Sequence, residues 1–244
     1  MKINKIIFKK IIFNNLDYKN FNKYIIKKGL FVFPAGPALA SIEQSKKYYD
    51  SIKKADFVFF DSGFFVLLLK VFKNINVNKF SGFKFLNLFF DYLKKNKNKK
   101  VFCIDPNIEF SNSNKLFLKN LGLHNIHNYL APKYDIKNLS DKNLLKQLKK
   151  IKPDFILTNI GGGKQEILGL YLKENLKIKT TILCTGGAIS FFTKDQAPIN
   201  TFIDEVYLGW FVRLMFNPIV FFCRLTYGLK LIPMVIFNKI KVIK

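Results

Sequence analysis

The stretch Gly161-Gly162-Gly163-Lys164-Gln165-Glu166 follows the apolar run Phe155–Ile160 and opens a segment of helical periodicity. Consecutive glycines let a backbone approach a ligand closely. The N–H groups at a helix start favour an anion such as phosphate. The same residues also make a tight strand-to-helix turn with no ligand at all. Gly186-Gly187 repeats the arrangement after Thr181–Cys184. With Lys164 and Gln165 beside the first turn, a nucleotide diphosphate suits the pair. The spacing is neither G-x-G-x-x-G nor a Walker loop, so it does not support use of NAD or ATP. Asp61 ends the run Phe57–Phe60. It is placed either to cap the next helix or to face a crevice as a general base. Glu166, in a first helical turn, complements the helix dipole.

Arginine is scarce. Arg213 and Arg224 are the only two in a chain that uses Lys everywhere else. A guanidinium grips phosphate or carboxylate through two parallel hydrogen bonds, which an ammonium does not reproduce. The pair therefore marks a candidate anion grip near the C-terminus. Cys103, Cys184 and Cys223 are far apart and give no disulfide or zinc spacing. His124 and His127 fall in a strand or loop, where a spacing of three sends side chains to opposite faces. No metal site is expected.

Five apolar runs must position these residues. They are Leu30–Phe33 into Pro34-Ala35-Gly36-Pro37, Phe57–Phe60 into Asp61-Ser62-Gly63, and Val101–Ile104 into Asp105-Pro106-Asn107, followed by the two that end in glycine. Helical periodicity follows most of them. Strands alternating with helices imply an α/β fold with a mainly parallel, Rossmann-like sheet flanked by helices. In such sheets the ligand crevice lies beyond the carboxyl ends of the strands, so the five turns are expected to converge. Lys5–Phe13 reads as an opening strand. Helices are expected from Asn15 to Lys28, Ala38 to Lys54, Phe64 to Phe72, Phe83 to Lys95, Asn114 to Leu121, Ser140 to Lys150 and Lys164 to Asn175. Phe64–Phe72 is nearly all apolar and is expected to be buried.

The chain has 244 residues, 49% of them apolar, with 28 Phe, enough for one large domain with a substantial core. Its net charge is +25. Abundant Lys, Asn, Ile and Phe fit an AT-rich coding sequence, and the charge also fits attraction to anionic lipid or phosphorylated ligands. No run reaches the roughly 20 apolar residues of a membrane-spanning helix, and no signal peptide is evident. The last segment differs. Ile199–Phe216 reads as an amphipathic helix with Trp210 and Arg213, Pro218 opens a second helix carrying Arg224, and Lys230–Phe237 follows with Lys across the end. Aromatics, aliphatics and Lys together suit a helix in a membrane interface, or an amphipathic tail packed on the domain. The expected organisation is a core over 1–198 and a helical, basic, membrane-associating C-terminal appendage over 199–244. The expected location is cytoplasmic, bound peripherally to the inner face of the cell membrane.

An ordered set of motifs then points to a family. Pro153-Asp154-Phe155-Ile156-Leu157 through Gly161–Glu166 resembles the "PD-hydrophobic-G-x-KQE" signature of the WecG/TagA/CpsF glycosyltransferases. Ala55-Asp56-Phe57-Val58 with Asp61-Ser62-Gly63 is similar to their "AD…DG" segment, and Lys79-Phe80-Ser81-Gly82 to their "R-V-x-G". Gly186-Gly187-Ala188 through Gln196-Ala197-Pro198 resembles "GxGAxFDF…RAP". Leu208-Gly209-Trp210-Phe211-Val212-Arg213-Leu214, Asn217-Pro218 and Arg224 resemble the "LEWLYRL…EP…RRY" tail. The matches run in order from about residue 30 to 225.

The resemblance implies an inverting transferase. It would pass a sugar, often of N-acetylmannosamine type, from UDP to a polyprenyl-diphosphate-linked sugar in cell-surface polysaccharide synthesis, without a DxD metal motif or other cofactor. It implies Asp61 as base and Gln165 as a nucleotide contact, with Gly161, Gly162, Gly163, Lys164, Gly186, Gly187 and Lys79 on the donor side. It implies Gly36, Arg213 and Arg224 on the acceptor and diphosphate side. The departures are Pro34-Ala35-Gly36 for a Thr-x-Asn turn, Ser190 for an Asp, Lys79 for an Arg and Asp105-Pro106-Asn107 for a Gly-rich turn. A relative that binds a nucleotide sugar or lipid diphosphate without turnover is the alternative. A nucleic-acid binder is the other, but no RNP, KH or helix-turn-helix pattern is present, so no nucleic-acid partner is expected. The oligomeric state is left open.

Overall fold

Strands form here because alternate side chains are buried on both faces of one sheet, which is why the runs are continuously apolar. In β3 (Gly29–Val32), Leu30 and Val32 enter one core layer while Phe31 enters the other. The pattern repeats in β4 (Phe57–Phe59), β5 (Val101–Asp105), β7 (Phe155–Thr158) and β8 (Thr181–Cys184). The computed structural model describes residues 3–193, 215, 222 and 226–243.

The sheet has nine strands in the order β6-β5-β7-β8-β3-β4-β2-β1-β9. Here β6 is Ile126–Leu130, β1 and β2 are Lys5–Phe8 and Ile11–Asn14, and β9 is Ile240–Ile243. From β6 to β2 every pairing is parallel, and β1 is antiparallel to both β2 and β9. The fold is therefore the expected α/β Rossmann-like one, a mostly parallel sheet flanked by helices. One layer holds α2 (Gly36–Ala40), α3 (Lys46–Lys53), α4 (Gly63–Lys73), α7 (Lys142–Ile151), α8 (Lys164–Asn175) and a C-terminal helix, α9 (Leu231–Phe237). The other holds α1 (Phe21–Ile25), α5 (Gly82–Lys95) and α6 (Ile108–Asn120). Phe31, Phe33, Phe57, Phe59 and Phe85 make a run of ring contacts in that second layer, with centroids 4.6–6.0 Å apart.

Several elements differ from the sequence reading. The opening strand is a hairpin, because Lys9 and Lys10 take positive φ and turn the chain back. The helix expected over 15–28 shortens to a 3-10 turn, capped by Asp17, and α1. The helix expected over 38–54 splits in two, since Ser45 caps a new start at α3. Asn107 caps α6, so that helix begins six residues before its expected start, at Ile108. Helix α4 is only half buried: Leu67 is 52% and Val71 64% exposed. Helix α9 forms where a membrane-interface helix was expected, but Leu231, Met234 and Val235 are buried in the core, and β9 then joins the sheet. The helices expected over 199–216 and up to Leu229, with Trp210, Arg213 and Arg224, fall largely or wholly outside the described residues.

Helix α8 sits close to the sheet because Gly169 has no side chain. A Cβ there would lie 2.6 Å from Leu30 Cδ1 and 2.8 Å from Cys184 Sγ. Gly169→Ala is expected to destabilise the fold by about 1–3 kcal/mol through overpacking. Urea unfolding checks this, with Gly162→Ala, where a Cβ meets nothing within 4 Å among the described residues, as the near-neutral comparison.

Candidate active site

All five turns lie at the carboxyl edge of the sheet, and contacts join each to its neighbours. Gly36, after β3, stands against Ser62 after β4: a Cβ on Gly36 would lie 2.9 Å from Ser62 Oγ. Asp61 Oδ1 accepts from the Gly82 N–H at 2.8 Å, which ties the β4 turn to the start of α5. Gly82 in turn abuts Thr185, where an added Cβ would lie 3.3 Å from the Thr185 carbonyl. The next N–H, of Gly186, donates to Gln165 Oε1 at 2.6 Å. Gln165 Nε2 donates to Glu166 Oε1 at 3.0 Å, and the Gly163 N–H donates to Glu166 Oε2 at 2.7 Å. The β7 turn reaches the β5 turn through Asn159 Nδ2, which donates to Asp105 Oδ1 at 2.7 Å.

Local sequence explains each placement. Ser62, not Asp61, caps α4 by accepting from the Phe65 N–H. Asp61 does not cap α4; its carboxylate reaches across to accept the first N–H of α5. Gly163 and Gly186 have φ of 88° and 63°, a region that favours glycine. Chain neighbours apart, no atom of the described residues lies within 4 Å of where a Cβ would stand on Gly161, Gly162 or Gly163. Lys164 is exposed beside it, and Gly187 is half-buried at the β8 turn. Lys79 precedes Phe80, whose N–H donates to the Phe60 carbonyl, so it lies next to the Asp61 turn.

Two residues have roles that the sequence did not suggest. Glu166 lies in the first turn of α8, as expected of a partner of the helix dipole, but it is 1% exposed and also caps its own helix through the Gly163 N–H. One N–H that a phosphate would seek is thus committed to Glu166. Gln165 is 3% exposed, and both ends of its amide join the two glycine turns.

Sequence reasoning also missed buried hydroxyls and an asparagine cluster. Tyr48 and Thr185 are buried, and neither hydroxyl has a hydrogen-bond partner among the described residues. The Tyr48 hydroxyl is held well above its ordinary pKa by burial, then by the charges of Glu166 and Asp61. Asp105, fully buried, accepts amide hydrogens from Asn114, Asn128 and Asn159. Nothing in α3 flags Tyr48. Thr185 was readable from its place before Gly186. His127 lies in β6 and stacks on Phe102. Arg213 and Arg224 lie outside the described residues.

Burial pushes the Glu166 carboxyl from 4.5 up to about 7, with the Asp61 charge adding to the rise and the donors from Gly163 and Gln165 opposing it. Below pH 4.5 the group is protonated both folded and unfolded. As pH rises towards 7 the unfolded chain ionises first, so the native state loses stability, on the order of 3 kcal/mol from this group. Glu166→Gln is expected to flatten the decline in stability between pH 4.5 and 7. Urea unfolding of both proteins at pH 5 and pH 7 measures it.

The chain matches one family over nearly its whole length. The model of the glycosyl transferase WecG/TagA/CpsF family matches residues 7–243. Among curated proteins the chain has no match.

Proposed function

Because the chain belongs to the WecG/TagA/CpsF family of glycosyltransferases, we propose that it inverts configuration while transferring a sugar from a UDP-sugar to a polyprenyl-diphosphate-linked sugar. The product would feed cell-surface polysaccharide synthesis, and the sugar would be of N-acetylmannosamine type or a related hexose. One observation carries the reading: Asp61, whose carboxylate turns to Gly82 rather than to its own helix, stands at a sheet edge whose turns are tied together by hydrogen bonds.

In the proposed reaction Asp61 takes the proton of the acceptor hydroxyl. The acceptor oxygen bonds to the anomeric carbon as the bond to the β-phosphate oxygen of UDP breaks. The charge that develops on UDP is stabilised by the backbone N–H groups of Gly161, Gly162 and Gly187, since those of Gly163 and Gly186 are committed to Glu166 and Gln165, and by Lys164 and Lys79. Arg213 and Arg224 are assigned to the diphosphate. Residues 199–244 are proposed to bring them there, with α9 and β9 as the anchor on the 1–198 core. Gln165 acts from within, by holding the two glycine turns in register. No metal takes part in this scheme, in keeping with the missing DxD motif.

No helix among the described residues is long and apolar enough to cross a membrane. The proposed place of action is the cytoplasmic face, where the chain would meet its lipid-borne acceptor. A binding relative without turnover is the second reading. It rests on Pro34-Ala35-Gly36, which lacks the side-chain donors of a Thr-x-Asn turn.

UDP release from a panel of UDP-sugars, with and without a polyprenyl-diphospho-sugar analogue, tests both. Acceptor-dependent release from one donor supports the transferase, and UDP binding without release supports the second reading. Asp61→Asn keeps the oxygen that Gly82 bonds but removes the base. It is expected to lower kcat by about 10²–10⁴-fold with UDP affinity unchanged. Turnover near that of the unaltered protein would remove Asp61 from the mechanism.

A further inference from the structure

Helix α4 starts at the catalytic edge, directly after Asp61-Ser62, and buries only one side. Phe65, Val66, Leu68 and Leu69 face the core. Phe64, Leu67 and Val71 stand at i, i+3 and i+7, so they share an outer stripe. All three are exposed, and Phe72 extends the stripe at one side. At the far end of α4, Lys73 Nζ donates to the Ile236 carbonyl at 2.9 Å, which sets the end of α9 beside it. There Phe237 is 83% exposed, among the most exposed large apolar residues described. Apolar surface thus runs from the edge of the candidate active site down α4 and onto α9.

Its surroundings are mainly basic, with Glu43, paired to Lys9, as an acid beside Lys230 and Met234. Lys70 and Lys73 flank the stripe on α4, and Lys230, Lys239 and Lys241 flank α9. No Asp or Glu occurs between Gly63 and Phe90, or between Thr226 and Lys244. An apolar stripe with a predominantly Lys rim matches a bilayer that presents anionic headgroups over hydrocarbon. Two copies meeting through this face would bring lysines against lysines, which opposes self-association.

From this we infer that the outer face of α4, continued by Phe237 on α9, seats the protein on an anionic lipid surface. The inference rests on the transferase reading, which it deepens by naming the face that meets the acceptor's membrane. Lipid along α4 puts the bilayer beside Asp61 and Gly36, so a diphosphate anchored in that bilayer lies next to the proposed base. The buried side of α9 belongs to the fold, and only its Ile236-Phe237 end takes part in docking.

The test uses the full chain and sedimentation with vesicles, either phosphatidylglycerol with phosphatidylcholine or phosphatidylcholine alone. Leu67→Glu/Val71→Glu alters two exposed positions. Ile26→Glu/Leu116→Glu makes the same charge change at exposed positions of α6 and the end of α1, in the other helix layer. Thermal melting establishes that both variants fold. The unaltered chain is expected to bind the anionic vesicles. The α4 variant should lose about tenfold or more in partitioning, and the comparison variant much less.

Equal losses in the two variants would overturn the inference, as would failure of the unaltered chain to bind anionic vesicles. So would conversion of a dimer to a monomer by the α4 variant with vesicle binding intact, which would make the face a contact between copies. UDP release with a water-soluble, short-chain acceptor reads the transferase separately. Release retained in the α4 variant while vesicle binding is lost supports both readings. Selective loss of vesicle binding in a chain that releases no UDP with any donor keeps the docking face and removes the transferase.

Discussion

The Gly163 N–H, the Glu166 carboxylate, the Gln165 amide and the Gly186 N–H form one line of hydrogen bonds between two neighbouring strand ends. Everything at the candidate site is placed relative to that line. It sets the β7 turn against the β8 turn, Thr185 of the β8 turn sets Gly82, and Gly82 sets Asp61. A carboxyl group buried to this degree is costly to ionise. Its donors, Gly163 and Gln165, offset part of that cost and are also the groups it positions. The residues that read as ligand contacts in the sequence are therefore partly a scaffold. In the proposed reaction the ligand would meet the solvent side of Gly161–Gly163 together with the groups around Asp61.

This polar line depends on the rigidity of what lies beneath it. Both faces of the central strands are filled, so no strand end shifts without disturbing two packed layers. The phenylalanine-rich layer contributes rings that meet in tilted and edge-on contacts, and Phe33, Phe59 and Phe80 place that layer directly under the crest turns. Gly82 and Gly169 allow the close approaches this requires. A composition that reads as coding bias in the sequence thus does structural work: the abundant Phe is the filling between helices and sheet.

The parallel sheet was legible because five apolar runs ended in turns of distinctive chemistry, and runs filled on both sides leave a plain signal. Helices α5 and α8 were legible for the same reason, with Ser81 and Gly163 marking their starts. The hairpin at Lys9-Lys10 was not, since two lysines with positive φ carry no turn signature. Asp61 was legible as a candidate, but that it does not cap α4 was not, because Ser62 and Asp61 are both competent caps and only the fold selects one. Tyr48 was illegible, because the fold buries it in the field of Asp61 and Glu166, which are distant from it in sequence. Helix α4 shows the limit of pattern reading in the other direction. An all-apolar helix reads as buried, and the extra apolar side becomes visible only when the fold leaves it uncovered.

The C-terminus closes the sheet and limits what the last segment does. Strand β9 pairs with β1 in register from Lys5↔Ile243 to Phe8↔Ile240, and α9 buries Leu231 and Val235 completely. A chain cut before this segment would lose an edge strand and part of the core, so such a cut does not isolate a dispensable tail. The described chain leaves the sheet edge through the turn Gly186–Phe191, beside Gly82, and returns through α9 in the layer that holds α2 and α4. The arginine-bearing stretch therefore begins and ends on elements next to the crest turns.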